Sequence, residues 1–98
     1  MSKQAVKLFK ALSDETRVDI IRHLLDNGKE LSCQELLDKF PLSQPTLSHH
    51  FNKLADANIL KVRKVGASHF YSIDREYLKN LGIDIQKIVN SKKGDGSI

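Results

Sequence analysis

Apolar residues recur at helical spacing through most of the chain, and the spacing switches to alternation once. Ala5, Leu8, Phe9 and Leu12 predict a first helix over residues 3–12. Ser13 is the expected N-cap of a second helix, with Asp14 and Glu15 in the first turn, where negative charge suits the helix dipole. Val18, Ile21, Leu24 and Leu25 give that helix an apolar face, Ile20 widens it, and Asn27-Gly28 stops it. A third helix begins at Ser32. Ser32-Cys33-Gln34-Glu35 reads as a capping box, in which the hydroxyl takes one orphan N–H and the glutamate reaches back for another. Leu36, Leu37 and Phe40 form its apolar side. Phe40-Pro41 ends it, because a residue before proline disfavours the helical region. Ser43 then caps a fourth helix, with Pro45 tolerated in its first turn. It runs to about Ala57, and Asn58 is a left-handed stop.

Leu60-Lys61-Val62-Arg63 alternates apolar and basic residues, and His69-Phe70-Tyr71-Ser72-Ile73 favours strand. With Gly66 between them these segments predict a β-hairpin. Asp74 caps a last helix over about 75–90, where Leu78, Leu81, Ile85 and Ile88 form a heptad-like stripe and Gly82 is the one weak point. The stripe fits self-association, or packing on the chain's own core. The fold expected is mainly α (α+β): about five helices and a two-stranded hairpin, in the order α-α-α-α-β-β-α. Two short helices joined by a tight turn and followed by a hairpin outline a winged helix-turn-helix. Residues 1–91 form one domain in this reading, and the polar stretch 92–98 is a flexible tail.

The fourth helix has a distinctive outer face. At about 100° per residue, Leu47, Phe51, Leu54 and Asn58 share the inner side. Thr46, His49, Asn52 and Lys53 lie opposite, with Ser43 and Gln44 at the N-terminal tip. Such a face suits the DNA major groove, which admits a helix and displays hydrogen-bonding base edges. Gln44 can pair bidentately with adenine; Thr46, Ser48 and His49 can contact base or phosphate. His50 borders the core and is expected to be structural rather than DNA-reading. In the hairpin, Lys61 and Arg63 share one face, opposite Leu60 and Val62, while Lys64, Ser68 and His69 surround the tip. A basic hairpin beside a recognition helix can follow the DNA backbone and probe the minor groove; alternatively its charges only block strand addition. Ser43, Lys53, Lys61, Arg63, Lys64 and His69 are the expected phosphate or minor-groove contacts.

Charge supports the DNA reading. Residues 39–73 hold five basic residues and one acidic residue, whereas the rest of the chain carries eleven of each sign. The whole net charge of +4 therefore sits on one segment, the footprint of a polyanion partner. The 98 residues suffice for one modest core, and 40% hydrophobic content is too high for a disordered chain. No apolar run reaches the roughly 18–20 residues of a membrane span, and Met1-Ser2-Lys3-Gln4 does not read as a signal peptide. A cytoplasmic protein without membrane contact is expected. No nucleophile–His–acid set, carboxylate pair or Gly-rich phosphate loop appears, so no catalytic residue is assigned.

Three segments resemble the ArsR/SmtB-type repressors. Ala11-Leu12-Ser13-Asp14-Glu15-Thr16-Arg17 and its continuation to Leu25 resemble that family's "ALSDPTRLRILRLL" opening, with Glu15 in place of proline. Leu42-Ser43-Gln44-Pro45-Thr46-Leu47-Ser48-His49-His50-Phe51-Asn52-Lys53-Leu54 is similar to its "LSQPTVSHHLKVL" recognition helix. Residues 57–73 resemble its "AGLVRSRREGRWVYYRL" wing. The likeness covers about residues 5–78. It implies a homodimeric winged-helix transcriptional repressor, dimerising through the first and last helices, with Leu8, Phe9, Leu78, Leu81, Ile85 and Ile88 at the interface.

The chain departs from the family's metal sensors. Where their third helix carries Glu-Leu-Cys-Val-Cys-Asp-Leu, this chain has Glu30-Leu31-Ser32-Cys33-Gln34-Glu35-Leu36. Both ligand cysteines are missing, and residues 75–90 contain no histidine. No metal ligand and no cofactor are therefore expected. Cys33, the sole cysteine, lies where a helix dipole can lower a thiol pKa, which leaves a redox-responsive regulator as an alternative to a buried apolar role. A winged-helix protein adaptor is the other alternative, although its recognition face would be apolar rather than polar. The effector, the operator and the regulated genes are not legible in the sequence.

Overall fold

The computed structural model describes residues 2–90. Its elements run α1 (Lys3–Leu12), α2 (Glu15–Asn27), β1 (Leu31–Ser32), α3 (Cys33–Lys39), α4 (Gln44–Asp56), β2 (Leu60–Val65), β3 (Ser68–Ile73), α5 (Arg75–Asn80) and α6 (Ile85–Asn90). The class is the expected one, with two additions: a sixth helix and a third strand.

Local chemistry sets most boundaries. Ser2 caps α1 by accepting the Ala5 N–H at 3.1 Å. The cap of α2 is Asp14, which accepts the Arg17 N–H at 3.1 Å. Ser13, expected in that role, instead closes α1, its hydroxyl donating to the Lys10 carbonyl at 2.7 Å. Its φ, ψ of −85°, 13° lack the extended backbone of an N-cap, whereas Asp14 has it at −122°, 126°. Gly28 ends α2 with φ of 65°. The capping box of α3 is complete: Glu35 N–H to Ser32 Oγ at 3.1 Å, and Ser32 N–H to Glu35 Oε1 at 2.9 Å.

Asn58, at φ 60°, ends α4 in a Schellman motif. Its N–H donates to Ala55, the Ile59 N–H donates to Leu54, and the side chains of Ile59 and Leu54 are both buried. Asn58 itself is exposed, not on the inner face as expected, because the left-handed residue leaves the helical path. The same motif breaks the helix expected over 75–90. Gly82, at φ 78°, donates to Lys79, and Ile83 donates to Leu78. Asp84 then starts α6 by accepting the Lys87 N–H at 3.1 Å.

The sheet is antiparallel in the order β1-β3-β2. Val65 pairs with Ser68 across the two-residue turn Gly66-Ala67, where Gly66 has φ 60°, as a type II′ hairpin turn requires at its first position. The core lies between the sheet and the helices, built on Ile20, Ile21, Leu24, Leu36, Leu47, Phe51, Leu54, Ile59, Leu78 and Val89. Phe51 packs on the Tyr71 ring at 4.1 Å between centroids, which seats α4 on β3. Truncating such a side chain to alanine costs about 3–5 kcal/mol. The tail expected over 92–98 lies outside the described residues.

Candidate nucleic-acid interface

The candidate interface starts at the turn before α4. Ser43 accepts the Thr46 N–H at 3.3 Å and donates its hydroxyl proton to Thr46 Oγ1 at 2.9 Å. The cap thus occupies Ser43 and leaves the Thr46 proton free to donate outward. Thr46, His49 and Lys53 are exposed on the side away from Leu47, Phe51 and Leu54, and Gln44 is exposed at the N-terminal tip. Ser48 is half-buried and lines a neighbouring groove. Thr46, His49 and Lys53 thus share the outer side that the helical period assigns them, Ser43 and Gln44 stand at the N-terminal tip, and Ser48 turns towards the groove.

His50 faces the other way and is structural. Its Nδ1 accepts from Arg17 Nη1 at 3.3 Å and lies 4.0 Å from Asp14 Oδ1. An Nδ1 that accepts a hydrogen bond belongs to a neutral ring protonated on Nε2. Burial lowers the His50 pKa, Asp14 pulls it back up, and Arg17 and His49 lower it further; the net direction is down. Arg17 also donates from Nε to the Ala11 carbonyl at 2.8 Å. These contacts fasten α4 to the α1–α2 corner.

The hairpin divides its basic residues between two faces. Strand side chains alternate, so pairing of Lys64 with His69 and of Val62 with Tyr71 puts Lys64 and His69 on the face that meets α4. Lys61 and Arg63, opposite Ser72 and Phe70, occupy the other face. Arg63, expected at a DNA phosphate, is committed elsewhere. Its Nε lies 3.0 and 3.1 Å from the two Glu30 carboxylate oxygens, and its Nη2 lies 2.7 Å from one of them. The guanidinium also lies 4.8 Å from the Phe70 ring centroid. This hydrogen bonding holds the Glu30 carboxyl below its ordinary pKa. The sequence reading missed Glu30 because no local signal links residues 33 positions apart.

A groove of about 350 Å³ runs between α3, α4 and the wing. Ser32, Cys33, Gln34, Gln44, Ser48 and His69 are among its lining residues. Cys33 sits at the first turn of α3, and burial raises its thiol pKa. The low-pKa thiol that a redox switch prefers is therefore not found here. Among the described residues, no three His, Cys, Asp or Glu side chains gather closely enough to hold a metal ion.

Of the residues expected at a dimer interface, Leu8, Leu78 and Ile85 are buried in the chain's own core. Gly82 breaks the heptad stripe into two short segments, and Leu78 on α5 and Ile85 with Val89 on α6 turn inward. Phe9, Leu81 and Ile88 remain exposed, at 57%, 51% and 48%, and Val6 is exposed beside Phe9 on α1.

A helix-turn-helix domain family matches residues 12–63, the stretch from the end of α1 into β2. An arsenical resistance operon repressor of Staphylococcus xylosus is 37% identical over 92 residues, covering 94% of this chain and 86% of that protein. The chain belongs to the ArsR-type helix-turn-helix transcriptional regulators. The solved structure of HlyU from Vibrio cholerae N16961 matches this ArsR-type chain with a TM-score of 0.72 at 33% identity, covering 94% of this chain and 100% of the other. An ArsR-like transcriptional regulator from Rhodococcus sp. RHA1 matches with a TM-score of 0.69 at 27% identity, over 87% and 78% of the two chains. Membership in this family makes the protein a DNA-binding transcriptional regulator of repressor type and not an enzyme. No helix of the described residues is long and apolar enough to cross a membrane.

Proposed function

We propose that this ArsR-type regulator acts as a cytoplasmic homodimer on a pseudo-palindromic operator near its own gene, blocking polymerase. The observation that carries the reading is the exposed polar side of α4, with Gln44 and Thr46 at a capped N-terminal end and His49 and Lys53 further along. Gln44, Thr46, Ser48 and His49 read the major groove. Lys53, Lys61, Lys64 and His69 hold phosphates or the minor-groove edge, Ser43 holds the end of α4 through its cap, and Arg63 acts through its brace to Glu30. A two-fold dimer sets two such helices about one DNA turn apart, roughly 34 Å. Residues 1–91 act as one domain whose ends supply the dimer contact, carried by the exposed Phe9, Leu81 and Ile88 together with Val6. With Cys33 as the sole cysteine, and half-buried, this reading includes no thiophilic-metal effector.

Fluorescence anisotropy against the DNA upstream of its gene and against a random duplex, at several salt concentrations, tests this. Each neutralised phosphate contributes about −0.9 to the log–log salt slope. Tight, selective binding with a steep slope is the expected result. Equally weak binding to both duplexes would overturn the proposed operator and favour an adaptor whose basic face meets another partner.

A further inference from the structure

A second basic surface lies outside the helix-turn-helix and the wing. A cleft of about 390 Å³ opens between α1 and α4, lined by Lys7, Lys10, Ala11, Ser13, Arg17, Lys53 and Asp56. Four of these seven residues are cationic and one is anionic. Arg22–Asp19, Arg63–Glu30 and the His50–Asp14 contact are ion pairs of the fold, whereas Lys7, Lys10 and Lys53 have no carboxylate within 4.0 Å among the described residues. Arg17 is fixed at the base of the cleft through the Ala11 and Lys10 carbonyls. Its charge therefore stays in place while the lysine stems remain free to reach outward.

Placement identifies the occupant. Thr46, His49 and Lys53 follow one another at three- and four-residue steps along the exposed side of α4, so they form one stripe. Lys53 ends that stripe at the cleft, and Lys7 and Lys10 carry it onto α1. We infer that α1 and α4 together form a phosphate-binding site for the DNA backbone, in which Lys7, Lys10 and Lys53 hold a phosphodiester beyond the C-terminal half of the recognition helix. The inference rests on α4 being the DNA-reading helix. It extends the contact to α1, where sequence reading expected only dimer residues. A phosphodiester carries no base identity, so the site adds affinity and register without sequence preference.

The test is the full-length double variant Lys7→Ala/Lys10→Ala, titrated by anisotropy with the upstream duplex and with a random duplex over a salt series. Lys29→Ala/Lys79→Ala serves as a control with the same change in net charge at exposed positions that do not line the cleft. The log–log slope of the cleft variant should become shallower by about 1–2, at roughly 0.9 per lost lysine–phosphate contact. Both duplexes should weaken by the same factor, with the control slope unchanged and sedimentation showing the wild-type assembly state. An unchanged slope in the cleft variant, or an equal change in the control, overturns the site while leaving the α4 reading intact. If the wild type binds neither duplex, the α4 reading falls and this site with it. An unchanged slope, together with a citrate-dependent rise in wild-type Tm that the cleft variant lacks, would reassign the cleft to a free organic anion.

Discussion

Arg63 on the wing and Glu30 before β1 form a paired contact, with both carboxylate oxygens and two guanidinium nitrogens taking part at 2.7–3.1 Å. The pair ties the outer face of the hairpin to the strand that precedes α3, and so fixes how the wing stands beside α4. It also cancels the charge of Arg63. Glu30→Gln should release the guanidinium, tighten binding to any duplex and steepen the salt slope by about 0.9. Arg63→Ala should weaken specific and random binding alike, because an unpaired carboxylate then faces the phosphates. The double variant should return to the wild-type slope. A double variant as weak as Arg63→Ala alone would place the guanidinium on DNA.

Gln44 stands exposed at the first turn of α4, and its side chain has no hydrogen-bond partner among the described residues. Gln44→Ala should reduce discrimination between operator and random duplex by about 1–3 kcal/mol, the value of one bidentate base contact. The salt slope should not change, since no charge is lost. Operator preference that survived the substitution would remove α4 from base reading.

His50 gives the fold a pH dependence of definite sign. Its folded pKa lies below the ordinary 6.5, chiefly through burial, so the unfolded chain binds the proton more readily. Stability is then complete above about pH 6.5 and declines as pH falls below it towards the folded pKa, by no more than about 1.4 kcal/mol per unit from this one group. Asp14, Glu30 and Glu35 are shifted down from 3.8 and 4.5, so their contributions persist at higher pH and are lost only in more acidic solution. Urea midpoints between pH 5 and 7.5 should fall with acidity for the wild type and stay level for His50→Gln. Parallel curves would show that His50 does not titrate in this range.

Phe9, Leu81 and Ile88 are exposed, whereas Leu78 is buried in the core. Leu81→Glu and Ile88→Glu should therefore yield a folded monomer by sedimentation, with weakened operator binding because two half-sites are no longer bound together. Leu78→Ala should instead lower stability by about 2–5 kcal/mol. A dimer that survived both glutamate substitutions would place the interface elsewhere.

Several helix ends were legible in the sequence, at Ser32, Ser43, Asn58 and Asp74, while the caps at Ser2 and Asp84 were not. The error at Ser13 came from two adjacent capping candidates, of which only Asp14 has the extended backbone. The break at Gly82 was also local. The regular spacing of Leu78, Leu81, Ile85 and Ile88 outweighed a single glycine in the sequence reading, yet the left-handed turn at that glycine prevailed in the fold. The polar side of α4 was readable because helical period alone sorts its residues into inner and outer.

The sequence by itself determined the first four helices, the hairpin that follows them, the winged helix-turn-helix class and the outer side of α4, because those depend on interactions within about four positions along the chain. Only the tertiary structure decided that β1 would pair with β3, that Arg63 would meet Glu30, and that Lys64 and His69 would turn towards α4. It alone brought Lys7 and Lys10 beside Lys53. These are contacts between distant positions, and neither periodicity nor capping specifies which distant surfaces meet; the packing of α1, α2 and α4 around one buried core does.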